Sequence, residues 1–324
     1  MKKNSHLLLA LAAVLLMPVL MQSGSLASEV LIFGLAAMGC NLLLGFTGLL
    51  SFGQGIFFGL GSYTIALTLT RWPLPMPLAL TLAVVVGALG AAIVGWVAIR
   101  QKGTYFVMLT LAFAQMFYFV AYTATSITGG DNGLLDIPRP SLSVFGHVFW
   151  PLTSPWQFYS FVAVIFMAAF WFLLKVSRST FGRTLLAVRD NEERAGAIGY
   201  NLKLLKLQAF VISGAVTGLA GALHAMMTGI APLSNAEYHT SEMILVMTVI
   251  GGTGNLFASV LGSAFYLLLG DWLSSLWPRW LLLLGLVLIA ISLWMQRGLW
   301  GLGEKLWVLI DSKRRSASSK GEQA

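Results

Sequence analysis

Long apolar runs separated by short polar or basic connectors dominate the chain, and a helix needs roughly 20 apolar residues to cross a bilayer. The pattern predicts a first span over 6–21, preceded by Lys2 and Lys3, a second over 30–46 and a third over 50–69. The third is rich in small residues, with Gly48, Ser51, Gly53, Gly55, Gly59, Gly61 and Ser62 in or beside it. Such residues let helices pack closely or break inside protein. Pro73, Pro75 and Pro77 then forbid a continuous helix. A fourth span follows over 78–99, a basic edge at Arg100-Gln101-Lys102, a fifth span over 104–122, a sixth over 158–174 and a seventh over 207–227.

The run 242–270 reads either as one crossing or as two short elements broken at Gly251-Gly252-Thr253-Gly254-Asn255. A last span is expected over 280–295. Two elements give about ten spans or half-spans and put both chain ends on one side. Of the 20 Lys and Arg residues, only Arg71, Arg139 and Arg279 then lie outside. That asymmetry follows the positive-inside rule and favours the broken version, with the central loop cytoplasmic. Ser25-Leu26-Ala27 is a loose cleavage pattern after the first span; an uncleaved first helix is the preferred reading.

Composition agrees. Of 324 residues, 57% are hydrophobic and 10% charged, against about a quarter charged in a soluble domain, and the mean hydropathy is +0.82. The fold class expected is therefore an all-α polytopic membrane protein. The net charge of +8 sits between and after apolar runs, where it sets topology and does not point to nucleic acid. A single cysteine, Cys40, rules out an internal disulfide or a multi-cysteine metal site.

Tests for chemistry mostly exclude. There is no G-x-x-x-x-G-K-[ST] phosphate loop, no H-E-x-x-H and no G-x-S-x-G. His6, His147, His224 and His239 lack ligand spacing, so no metal, cofactor or catalytic residue is expected. The span interiors hold no firmly placed ionisable residue, with Glu242 and Asp271 at boundaries, which disfavours a proton-coupled carrier. A membrane enzyme would have to draw on Asp131, Asp136, His147, Glu237 and His239 at the outer side. A transporter energised by another protein is the leading class. The loop 178–206 offers such a protein a docking site: a helix-like segment over 184–197, the charges Arg183, Arg189, Asp190, Glu192, Glu193 and Arg194, and a turn at Gly196 and Gly199.

The run 181–200, with Phe181-Gly182-Arg183-Thr184, Arg189-Asp190-Asn191-Glu192-Glu193-Arg194 and Gly196 to Gly199-Tyr200, continues into Gly218-Leu219-Ala220-Gly221. Together with Asn41-Leu42-Leu43-Leu44-Gly45-Phe46-Thr47-Gly48, Thr128-Gly129-Gly130-Asp131-Asn132-Gly133-Leu134 and Gly251-Gly252-Thr253-Gly254-Asn255, it resembles the permease family of branched-chain amino acid ABC transporters, in particular its LivM-type subunit. The motifs match in order across 30–301. The resemblance implies one permease domain over 1–324 with a cytoplasmic coupling loop over 178–206 and a cytoplasmic tail over 302–324, in a bacterial inner membrane, both termini cytoplasmic. It implies a homologous second permease, two cytoplasmic ATPase subunits and a periplasmic substrate-binding protein. Branched-chain amino acids are the implied substrates, with urea, short amides or other amino acids as the alternative in the same family. Thr47, Gly48, Gln54, Gly251, Gly252 and Asn255 fall where that family breaks or packs helices near its translocation path. Broken helices there would expose backbone groups able to handle a zwitterion.

Overall fold

The computed structural model describes residues 5–301 apart from 22, 73, 139–141, 145–146, 151, 153 and 295–297. The expected tail over 302–324, Lys2, Lys3 and Arg139 lie outside the described residues. Thirteen helices follow in order: α1 (Ser5–Leu20), α2 (Gly24–Thr47), α3 (Gln54–Thr70), α4 (Met76–Ala98), α5 (Thr104–Thr123), α6 (Thr125–Thr128), α7 (Pro155–Arg178), α8 (Thr180–Asp190), α9 (Glu192–Ala197), α10 (Leu202–Thr228), α11 (Tyr238–Gly251), α12 (Leu256–Leu276) and α13 (Trp280–Trp294). A short antiparallel ribbon, β1 (Leu142–Val144) with β2 (His147–Trp150), decorates the α6–α7 connection.

Six of these helices, α2, α4, α5, α7, α10 and α12, are long and apolar enough to cross a membrane. The other four expected spans or half-spans coincide with shorter helices: α1 with 16 residues, α3 with 17, α11 with 14 and α13 with 15. The run 242–270 is broken, as the charge asymmetry favours, with α11 ending at Gly251 and α12 starting at Leu256. One expectation needs correction. Because Ser23 caps α2 by accepting from the Leu26 N–H, the helix starts well before residue 30. Glu29 therefore lies inside it, half-buried, although the span interiors were expected to lack ionisable groups.

The architecture is a bundle around α2. A helix apolar on every side must be surrounded by protein or lipid, and 94% of the membrane-length window of α2 is buried against 22% for α5. Helices α7, α10, α11 and α12 enclose α2, while α5 contributes exposed Met108, Met116 and Phe119 to the periphery. Inside a bilayer, helices associate through close packing more than through a hydrophobic drive, and the α3–α10 crossing shows the device. A Cβ at Gly61 would fall 1.8 Å from the Gly218 carbonyl oxygen, and one at Gly221 would fall 1.9 Å from that of Phe58. At the C-terminal end of α10 the Thr128–Leu134 motif has a structural use. Leu134 and Ala231 exchange backbone hydrogen bonds of 3.1 and 2.8 Å, and Ile137 donates to the Gly229 carbonyl at 2.8 Å, stitching the α6–α7 connection to the α10–α11 connection.

Gly61→Leu should separate α3 from α10 at a cost of about 1–3 kcal/mol or more, read as a lower melting midpoint of the purified protein in detergent. Gly285→Ala, where an added Cβ meets nothing within 4 Å, should leave that midpoint within about 0.5 kcal/mol of wild type; equal effects would refute the packing account.

Candidate functional site

The C-terminal end of α2 gathers several of the residues singled out in the sequence. Helix α2 terminates at Gly48 with φ 72°, a left-handed cap that glycine adopts without strain. The last carbonyls of a helix lack intrahelical partners, and here Arg189 of α8 supplies one: its Nη1 donates to the Gly45 carbonyl at 2.5 Å. A cation at a helix C-terminus also meets the negative end of the helix dipole. The Arg189 stem packs where a side chain on Gly48 would sit, with its Cγ 3.1 Å from that position. Asp190 accepts from Arg189 at 3.2 Å and orients it.

The α11–α12 break meets α2 at the same place. Gly251 passes so near α12 that a Cβ would lie 2.0 Å from the Ala258 carbonyl oxygen. Gly252 and Gly254 take φ of 119° and 88°, and Asn255 caps α12 by accepting from the Phe257 N–H at 3.0 Å. The backbone freed by this break is held by Asn41, fully buried in α2. Its Oδ1 accepts from the Gly254 N–H at 2.9 Å, and its Nδ2 donates to the Asn255 carbonyl at 2.8 Å and to Ser259 Oγ at 2.7 Å. Gly45 leaves the room: a Cβ there would meet Asn41 Oδ1 at 2.0 Å.

Two expected path residues sit differently. Thr47 is buried and turns its hydroxyl onto the Leu43 carbonyl of its own helix. Gln54, fully buried, accepts from Thr217 Oγ1 at 2.7 Å and donates to Ser213 Oγ at 3.0 Å, and Ser213 in turn donates to the Gly39 carbonyl at 2.7 Å. The Gln54 network therefore locks α2, α3 and α10 together on a different face from the helix break.

The central loop is two helices, not the single segment expected over 184–197. Asn191 adopts an extended backbone and accepts from the Arg194 N–H at 2.9 Å, so it ends α8 and caps α9. On either side of the break one charge reaches into the bundle: Arg189, though itself exposed, bonds Gly45, and half-buried Glu192 pairs with lysines, whereas Arg183, Glu193 and Arg194 are exposed and Ile198 is 72% exposed. Glu192 reaches Lys206 of α10 at 2.8 Å and Lys102 of the α4–α5 connection at 3.4 Å. The Lys206 side chain is only 6% exposed. Gly199, with φ 96° and open space around it, turns the chain from α9 into α10, and Gly196 packs on Leu202.

Burial of Glu192 by itself would raise its carboxyl, but the hydrogen bonds and charges of Lys206 and Lys102 outweigh that and hold it below the ordinary carboxylate range. The folded value thus lies below the unfolded one. Its stabilising contribution is present above the ordinary carboxylate range and is lost as pH falls through the folded value.

Asn41, which holds the helix break, and Lys102 and Lys206, which pair with Glu192, were not among the expected site residues. Asn41 had a signal, a lone amide in the middle of an apolar run, because a polar group at that depth must find protein partners. Glu192→Gln should leave the Lys206 ammonium without its counter-charge at a cost of about 1–3 kcal/mol, measured by thermal melting near neutral pH. Acidifying the wild type should narrow the gap between the two; a gap that stays constant down to the acid limit would contradict the assigned ion pairs.

The comparisons with known proteins follow this geometry. The family described as branched-chain amino acid transport system / permease component matches residues 23–292. The high-affinity branched-chain amino acid transport system permease protein LivM of Salmonella typhimurium is 27% identical over 343 residues, covering 100% of this chain and 80% of that protein. The LivM protein of Escherichia coli is 26% identical with the same coverage. The fructose import permease protein FrcC of Rhizobium meliloti is 28% identical over 167 residues, covering 48% of this chain and 46% of that protein. No solved structure matches the chain. With most of its length matched, from the cap of α2 to the last apolar helix, the chain belongs to the family of branched-chain amino acid transport permease components.

Proposed function

We propose that this chain is the membrane permease subunit of an ATP-driven, binding-protein-dependent importer, carrying branched-chain amino acids across a bacterial inner membrane. The observation that carries the reading is the full-length similarity to two permeases of that transport system, joined to a loop built to receive force from outside the bilayer. The chain is a transport subunit and not itself an enzyme; ATP hydrolysis and substrate capture belong to partner subunits. A homologous second permease, two ATPase subunits and a periplasmic binding protein complete the machine, which is multi-pass with both termini cytoplasmic.

The mechanism assigns two roles to the central loop. Its exposed tip, Glu193, Arg194 and Ile198, docks on an ATPase subunit. Its inward charges are the transmission. Arg189 pulls on the end of α2 and, through Gly45 and Asn41, on the α11–α12 break, while Glu192 moves α10 and the α4–α5 connection with it. Two rigid attachments convert a displacement of the loop into a displacement of helix ends. The broken backbone at Gly251, Gly252 and Asn255, beside Gly48, is the part of the path that changes shape. Gln54 ties α2, α3 and α10 together beside the path, and Thr47 lies at the C-terminal end of α2.

Orientation is tested by thiol labelling, for which the buried Cys40 is a silent background. Ser126→Cys and Ala197→Cys place single exposed thiols at opposite ends of the bundle. An impermeant maleimide added to intact spheroplasts should label the first alone; labelling of position 197 would reverse the topology. Substrate class is tested in proteoliposomes holding both permeases, both ATPases and the binding protein. ATP-dependent, saturable leucine uptake without urea uptake is the expected outcome. Urea transport without leucine transport would move the protein to the urea and amide branch, and transport by this chain alone without ATP would overturn the importer reading.

A further inference from the structure

A cleft of about 450 Å³ opens between the inner end of α4 and the start of α10, within the size range of small-ligand sites. Its polar rim is Arg100, Asn201 and Lys203; its wall is Trp96, Leu204 and Leu207. Among the described residues neither Arg100 nor Lys203 makes an ion pair, whereas neighbouring Lys102 is held by Glu192. The Arg100 guanidinium carbon lies 4.3 Å from the Trp96 ring centroid, and that indole is 61% exposed. A cation held over an exposed tryptophan at a helix end is suited to the boundary between headgroups and hydrocarbon. The N-terminus of the 27-residue α10 points its positive end at the same rim.

A second groove of about 440 Å³ continues from the first, with Leu207 lining both. Val211, Ile212 and Phe181 make it almost wholly apolar. From Lys203 to Ile212 the helix advances about 13 Å toward the bilayer centre. Charge lies at the membrane surface and apolar wall lies deeper. The polarity therefore runs along the membrane normal in the order of a phospholipid, which neither a soluble anion nor a peptide strand shares.

We propose that this cleft binds one anionic phospholipid of the inner leaflet, its phosphate between Arg100 and Lys203 and an acyl chain along Leu207, Val211 and Ile212. The assignment rests on the orientation given above only for naming the leaflet. A bound lipid would fill the space between α4 and α10 beside Lys206, so it would brace the inward anchor of the coupling loop.

The test uses the native complex purified through a tag on this chain and placed in phosphatidylcholine nanodiscs with a trace of photoreactive, radiolabelled phosphatidylglycerol. Cross-linked peptide mapping should locate label on residues 203–212. Arg100→Gln with Lys203→Gln should reduce that label roughly thirtyfold, as loss of two interfacial basic residues implies, while leaving cross-linking of labelled phosphatidylcholine unchanged. Leu207→Trp, which fills the shared wall, should reduce it without removing charge. Both variants are checked for unchanged melting. Label that is unaffected by either variant, label confined to a partner subunit, or displacement by millimolar inorganic phosphate would each overturn the lipid assignment. The readout needs no transport, so its failure leaves the importer reading standing, and failed leucine uptake leaves the lipid site standing.

Discussion

A helix that stops within a packed bundle leaves N–H and C=O groups that must find partners in the protein. The α11–α12 break creates that problem next to the C-terminal end of α2, and Asn41 answers it with hydrogen bonds of 2.7–2.9 Å to Ser259, Asn255 and Gly254 and one of 3.5 Å to the Gly252 carbonyl. The solution dictates much else. Gly45 has to be glycine for the amide to fit, Gly251 has to be glycine for α11 to pass α12, and α2 has to be enclosed so that no lipid competes for the amide. A buried polar group fully paired in this way fixes one register of α2 against the break.

The same helix end receives the central loop. Arg189 occupies one carbonyl left open at the α2 terminus, and Glu192 neutralises a lysine buried at the foot of α10. Both contacts are charge-assisted and therefore stronger than neutral hydrogen bonds. They lie on either side of the Asn191 break, so the loop is gripped at two points with its apolar and charged tip left exposed. The proposed function draws on this grip, because a loop held at two points can pass on a displacement that a loop of merely solvated charges cannot.

Much of this was legible in the sequence. The apolar runs placed the helices, and the distribution of Lys and Arg chose the broken version of 242–270 over a single crossing. The motifs containing Arg189 and Gly251-Gly252, far apart in sequence, meet at the end of α2 in the structure. What escaped reading was direction and pairing. Nothing in the residue order says that Arg189 turns inward onto Gly45 while Arg194 turns out, because a cap at Asn191 decides it. The hydrogen bonds that tie Gln54 into three helices were not legible either, since its partners Ser213 and Thr217 lie more than 150 positions away. Helix starts were misplaced where a cap extended the helix beyond its apolar run, and Glu29 was the casualty.

The central claim is that Arg189 carries motion from the loop to α2 and the helix break, and the ratio of ATP hydrolysed to leucine imported tests it most directly. In the assembled, reconstituted complex bearing Arg189→Gln, docking surfaces are untouched while the bond to Gly45 is weakened. The account predicts hydrolysis within about twofold of wild type and uptake reduced roughly tenfold, so the ratio rises by about that factor. Hydrolysis and uptake falling together, or neither changing, would leave the ratio at its wild-type value and contradict the claim.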